Sequence, residues 1–107
     1  MKKLLIPTDL QPRFTRIMQF LNRSDIAVHA GSAHEDLLRL HFEHKAHVIV
    51  TRADLPGMTC ESFVKTIRRS EVLRNVSILL LYPDGAAHHE RALRCGANFV
   101  IPLAAPS

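Results

Sequence analysis

Four times along this chain a short apolar run is followed by a segment whose apolar residues recur at three- and four-residue spacing, and a fifth apolar run closes the series. This alternation constrains the fold more than any other feature, because each period belongs to one kind of element. Lys3 to Thr8 reads as a strand, and Pro12 to Arg23 as a helix with Phe14, Ile17, Met18 and Leu21 on one face. Asp25 to Ala30 is β-rich and Gly31 breaks it; Ser32 with Glu35 three residues on has the form of a capping box, opening a helix through about Lys45. His47 to Thr51 holds the buried-strand signature Val48-Ile49-Val50. The loop Ala53-Asp54-Leu55-Pro56-Gly57-Met58 follows, then a helical face of Cys60, Phe63, Val64 and Ile67. Val76 to Tyr82 is an almost unbroken apolar run, as in a strand covered on both faces. Pro83-Asp84-Gly85 is a turn, Ala86 to Cys95 a short helix capped by Gly96, and Phe99 to Ile101 the last strand. Strands alternating with helices make right-handed βαβ units, so the expected architecture is α/β, a doubly wound five-stranded parallel sheet.

The chain has 107 residues, enough for one domain, expected over residues 1–103 with 104–107 as a tail or the start of a linker. Its longest apolar stretch, Ile78 to Tyr82, is far short of a membrane span, and the expected location is cytoplasmic. In that compartment Cys60 and Cys95 read as reduced, partly buried small hydrophobes. A net charge of +4 raises nucleic-acid binding, but the basic residues are dispersed. The densest group, Lys65, Arg68 and Arg69, fits a solvated helix face, so direct nucleic-acid binding is not expected. Among seven histidines, His41, His44 and His47 and the pair His88 and His89 invite a metal site. His47 lies past the helix end and no cysteine is near, so no metal is assigned. These rings are suited instead to tuning an interface between about pH 6 and 7.

Three stretches, in this order and spacing, resemble the CheY-like response-regulator receiver family. His47 to Met58 resembles its third strand and acidic Pro-Gly-Met loop, Val76 to Tyr82 its fourth strand, and Arg91-Ala92-Leu93-Arg94-Cys95-Gly96-Ala97-Asn98 its segment before the fifth strand. The resemblance runs from Lys3 to about Leu103. It implies a flavodoxin/CheY-like sheet of order 2-1-3-4-5 and a bacterial two-component phosphorelay role in signal transduction. It also implies a phosphoacceptor pocket, and here that pocket is degenerate. The nucleophile position, four residues before Pro56, is Arg52, a permanent cation. The two metal-binding positions fall on Thr8 and Asp9, the hydroxyl position on the bulkier Tyr82, and the lysine position on Leu103, the last lysine of the chain being Lys65. Asp54 sits where the family lends a backbone carbonyl to the metal. Arg52 is expected to pair with Asp9 or Asp54, or else to point to water.

The expectation is therefore an atypical receiver domain, not an enzyme, acting through protein contacts without aspartyl phosphorylation and without Mg²⁺ or another cofactor. One rival is a conventional phosphorelay receiver using Asp54 or Asp9 as acceptor. Another is a small nucleotide-binding protein of the universal-stress type, suggested by Leu4-Leu5-Ile6-Pro7-Thr8-Asp9, although Gly31, Gly57, Gly85 and Gly96 are each isolated and make no phosphate loop. The chain stops after the fifth strand, lacking the family's usual fifth helix. An uncovered apolar face then predicts a homodimer or docking to a partner or output domain.

Overall fold

A computed structural model of the chain describes residues 2–20, 25–83 and 94–103. Five strands, β1 (Lys2–Pro7), β2 (Ile26–Gly31), β3 (Val48–Arg52), β4 (Ser77–Pro83) and β5 (Phe99–Leu103), form one sheet of order β2-β1-β3-β4-β5. Every neighbouring pair is parallel. The helices are α1 (Gln11–Phe20), α2 (His34–His44) and α3 (Cys60–Arg69), with a 3-10 turn at Thr8–Leu10. The expected order 2-1-3-4-5 is thus observed. The helix read over Ala86 to Cys95, the end of the helix read to Arg23, and the tail 104–107 lie largely or wholly outside the described residues.

Each strand sends alternate residues to opposite faces, and the two faces are packed unequally. On one, Leu5, Ile49, Ile78, Leu80 and Tyr82 meet Leu37 of α2 and Phe63, Val64 and Ile67 of α3 in the larger core. At roughly 1.5–3 kcal/mol per fully buried large side chain, this face supplies most of the hydrophobic stabilisation. On the other, Leu4, Ile6 and Val50 are buried, with Leu10 and Phe14 only partly buried against them. No residue of α1 is fully buried, and Ile17, on the face read as apolar, is 49% exposed. That expectation is corrected: among the described residues one helix lies over this side of the sheet, and its apolar stripe is only half engaged. In β5, Val100 packs on the larger core, so its neighbours Phe99 and Ile101 point to the thin side, where they are 62% and 45% exposed.

The capping box also does not form. Ala33 is the N-cap of α2 and provides no side-chain bond; the Ser32 N–H donates instead to the Asp36 carboxylate (3.1 Å). Glu35 turns away to accept the N–H of Met58. A Thr59 side-chain cap is present on α3, accepting from Ser62 N–H at 3.1 Å.

The solvated-face reading of Lys65, Arg68 and Arg69 holds for the exposed Lys65 and Arg69 but not for the half-buried Arg68. Its guanidinium donates to the carbonyls of Arg74 (2.6 Å), Val76 (2.8 Å) and Gly96 (3.2 Å) and to the Asn98 side chain. Asn98 Oδ1 also accepts from Ile78 N–H at 2.8 Å. One side chain thereby ties α3 to the segments that enter β4 and β5. Among the described residues no helix is long and apolar enough to cross a membrane.

Candidate functional site

In a parallel sheet with alternating crossovers, the crevice outside the carboxyl ends of the strands is where ligands bind. Here β1 ends at Pro7 and hands Thr8 and Asp9 to that edge, and β3 ends at Arg52. Tyr82 and Leu103 lie near the same edge, Tyr82 in register with Pro102 and Leu103 with Pro83. The sequence-predicted positions therefore share one end of the sheet.

The centre of that edge is a cation. Arg52 Nη1 donates to Asp9 Oδ2, and Arg52 Nε lies 3.3 Å from Asp54 Oδ1. The second contact is an ion pair without a hydrogen bond, since Nε is buried and has no acceptor in bonding geometry. Arg52 was expected to pair with Asp9 or with Asp54 or to point to water; it pairs with both acids, and Asp9 is the hydrogen-bonded partner. The Arg52 side chain is 23% exposed, whereas Asp9 and Asp54 are 54% and 63% exposed. Such a half-solvated bridge contributes on the order of 1 kcal/mol at most, so its significance lies in occupancy of the pocket. Thr8 is exposed in the 3-10 turn. Tyr82 is buried among the residues of the larger core.

Behind Arg52 the loop to α3 is held by a residue that sequence reasoning missed. His34, fully buried at the start of α2, reaches the loop with one ring nitrogen and β3 with the other: Nδ1 lies 2.8 Å from the Met58 carbonyl and Nε2 2.8 Å from Thr51 Oγ1. A carbonyl can only accept, so Nδ1 carries the proton and Nε2 accepts the Thr51 hydroxyl. The ring stacks on Phe63 with centroids 4.8 Å apart, and the His34 N–H donates to Pro56 O at 3.2 Å. Burial pushes the His34 pKa below 6.5, against the opposing pull of its bond to Met58, so the ring is neutral at pH 7. Gly57 turns the loop at φ +93°, and a Cβ there would run into the Glu35 carboxylate. Thus α2 grips the loop through His34 and Glu35 together.

The other described histidines serve the fold. His41 is buried; its Nδ1 accepts from Ala46 N–H (3.0 Å), which leaves Nε2 to donate to Leu73 O (2.8 Å). Burial lowers its pKa also. His44 stacks on His29 with centroids 3.9 Å apart, and His47 Nδ1 accepts from Lys3 N–H at 3.0 Å. His88 and His89 lie outside the described residues. Among those residues no three His, Cys, Asp or Glu side chains are grouped so as to hold a metal ion.

No protein-family model matches the sequence, and no characterised protein matches it significantly. Solved structures do match by shape. A signal receiver domain of a signal transduction histidine kinase from Syntrophus aciditrophicus has a TM-score of 0.78 at 17% identity, over 99% of this chain and 81% of that one. A sensor histidine kinase receiver domain from Pseudomonas aeruginosa, with a magnesium ion coordinated in its active-site cleft, has a TM-score of 0.77 at 20% identity, over 99% and 86%. A DNA-binding response regulator of the LuxR family from Staphylococcus aureus has a TM-score of 0.73 at 18% identity, over 95% and 86%. The chain has the fold of response-regulator receiver domains.

The residues present do not fit a magnesium ion of the kind coordinated in the Pseudomonas aeruginosa domain. Mg²⁺ needs a near-octahedral shell of oxygens, and several carboxylate or carbonyl donors must be free to turn toward it. Asp9, the carboxylate at the end of β1, is instead engaged by a guanidinium, and Asp54 lies within ion-pair distance of that same cation.

Proposed function

We propose that the chain is an atypical receiver domain of two-component signalling that works without aspartyl phosphorylation, transmitting its state through protein contacts and performing no catalysis. The observation that carries this reading is the Arg52 guanidinium at the end of β3, donating to Asp9. Phosphoryl transfer to an aspartate requires a carboxylate nucleophile with its charge balanced by a metal. A guanidinium has no lone pair to offer and stays protonated across the accessible pH range. The rival acceptors, Asp9 and Asp54, both face that cation, which stabilises their electron pairs against attack on phosphorus.

Incubating the protein with acetyl phosphate and Mg²⁺ is expected to leave its intact mass unchanged, and NMR titration with Mg²⁺ and beryllofluoride to leave the amides of Asp9, Arg52 and Asp54 unshifted. A stable phosphoryl mass gain, or a saturable shift at those amides, overturns the reading in favour of a conventional receiver.

The surface proposed to carry the contacts is the thin side of the sheet, where Phe99 and Ile101 are exposed. Apolar groups placed side by side on a flat sheet are disposed to bury against a partner, and a homodimer or an output domain would cover them. The expected result is a dimer by light scattering at high micromolar concentration, shifted to monomer by Phe99→Glu. A monomeric wild-type protein that binds no hydrophobic dye removes the case for this surface.

A further inference from the structure

The segment that leads into β5 lies along α3, and three contacts fix its course. Gly96, at φ +104°, sits so close to the helix that a Cβ would stand 3.4 Å from Val64 Cγ1 and 3.7 Å from Arg68 Cγ. Arg68 Nε donates to Gly96 O at 3.2 Å, and its Nη2 donates to the Asn98 side chain. One helical turn before Val64 and one residue before Gly96, the same alignment brings Cys60 and Cys95 into hydrogen-bond contact. Neither cysteine is in a disulfide, and both are buried within the larger core. Cys95 nevertheless borders an open pocket of about 190 Å³ lined, among the described residues, by Glu61, Lys65 and Arg94 as well. A buried dithiol, one residue of which lines a pocket that also carries two cationic side chains, is a different arrangement from two structural cysteines apart in a core.

We propose that Cys60 and Cys95 are a redox pair, Cys95 reacting with a small hydroperoxide that enters this pocket and Cys60 resolving the product as an intramolecular disulfide. The roles follow from the pocket, which Cys95 lines and Cys60 does not, and the contact between the two supports them. The Cys60 S–H donates to the Cys95 sulfur, which holds Cys95 below the usual thiol range and pushes Cys60 above it; burial opposes the shift at Cys95 and adds to it at Cys60. A thiolate is the attacking species in such chemistry. The Cys95 thiolate attacks one peroxide oxygen and the O–O bond breaks. The departing hydroxide or alkoxide takes a proton to become water or alcohol, leaving Cys95 as a sulfenic acid. Cys60 then loses its proton and attacks the Cys95 sulfur; the S–O bond breaks, hydroxide leaves as water, and the disulfide forms. In total two thiols are oxidised by two electrons and one peroxide is reduced to water and water or alcohol.

The proposal is independent of the phosphoacceptor reading, and it is tested on the full chain. The reduced protein is treated with hydrogen peroxide, quenched with N-ethylmaleimide under denaturing conditions, and weighed intact and as peptides. The expected product is a monomer lighter by two hydrogens, carrying no maleimide and yielding a Cys60–Cys95 peptide that dithiothreitol separates. Cys60→Ser is expected to stop at a Cys95 sulfenic acid trapped by dimedone, while Cys95→Ser gives no dimedone adduct. Circular dichroism establishes that each variant is folded, and the wild-type result decides the matter without them. Two maleimides retained on the treated wild type, or a disulfide only between chains, overturns the pair; a dimedone adduct on Cys60 in Cys95→Ser overturns the assignment of roles.

Discussion

His34→Ala is expected to lower the melting temperature by on the order of 15 °C, which follows from a loss of about 3 kcal/mol. The substitution removes a fully buried ring stacked on Phe63 and leaves the Thr51 hydroxyl and the Met58 carbonyl without their partner. Each orphaned buried group costs about 1–3 kcal/mol, less whatever water recovers. His34→Phe separates the contributions: it keeps the volume and the stack but not the bonds, and is expected to fall between alanine and wild type. Thermal unfolding followed by circular dichroism reads both. A drop of under about 3 °C for the alanine variant would show that the loop after β3 holds itself and that His34 is incidental.

The second large effect is loss of stability in mild acid. His34 and His41 are buried as neutral rings, each with a pKa held below 6.5 chiefly by burial. His29 is lowered as well, by burial and then by the neighbouring His44. As pH falls through 6.5 the unfolded chain takes up protons that the folded rings still refuse. The stabilisation these rings contribute is thus fully present above about 6.5 and drains away as pH falls below it. The slope is at most about 1.4 kcal/mol per pH unit for each histidine. Urea midpoints are expected to hold nearly level from pH 7.5 to about 6.5 and to decline from there to 5.5, and His41→Leu to decline less steeply, whatever its stability at neutral pH. A flat wild-type profile across that range would mean the rings are as easily charged inside as outside.

Most of the framework was legible because periodicity reports burial directly. Val48-Ile49-Val50 lies in β3, and Cys60, Phe63, Val64 and Ile67 are the buried residues of α3, as their spacing required. The position of Arg52 was equally readable, being a matter of counting along a strand and loop. Its partner was not, because Asp9 is 43 residues away and the choice between two acids depends on how β1 and β3 meet. The apolar stripe of α1 misled, since spacing shows which face would be buried but not whether anything covers it. His34 was hidden by its type. The buried stripe of α2 is His34, Leu37 and His41, with helical spacing. Two of its three members look polar in a sequence, and only the carbonyls and the hydroxyl waiting for them make them core residues. Glu35 failed as a capping residue for a similar reason: a loop from another part of the chain offered an N–H that local rules do not see.

Arg68 and Arg52 stand at opposite ends of the strands, and this separation divides the labour of the molecule. The guanidinium of Arg68 gathers the oxygens that precede β4 and β5, bolting the foundations of both strands to one helix by bonds that neither protons nor metal ions can loosen. With the base anchored in this way, residues at the upper rim can be exchanged without the strands losing their places. The arginine at that rim, under the proposed function the replacement of an acid, then changes the chemistry of the pocket while the base that holds the strands is left untouched.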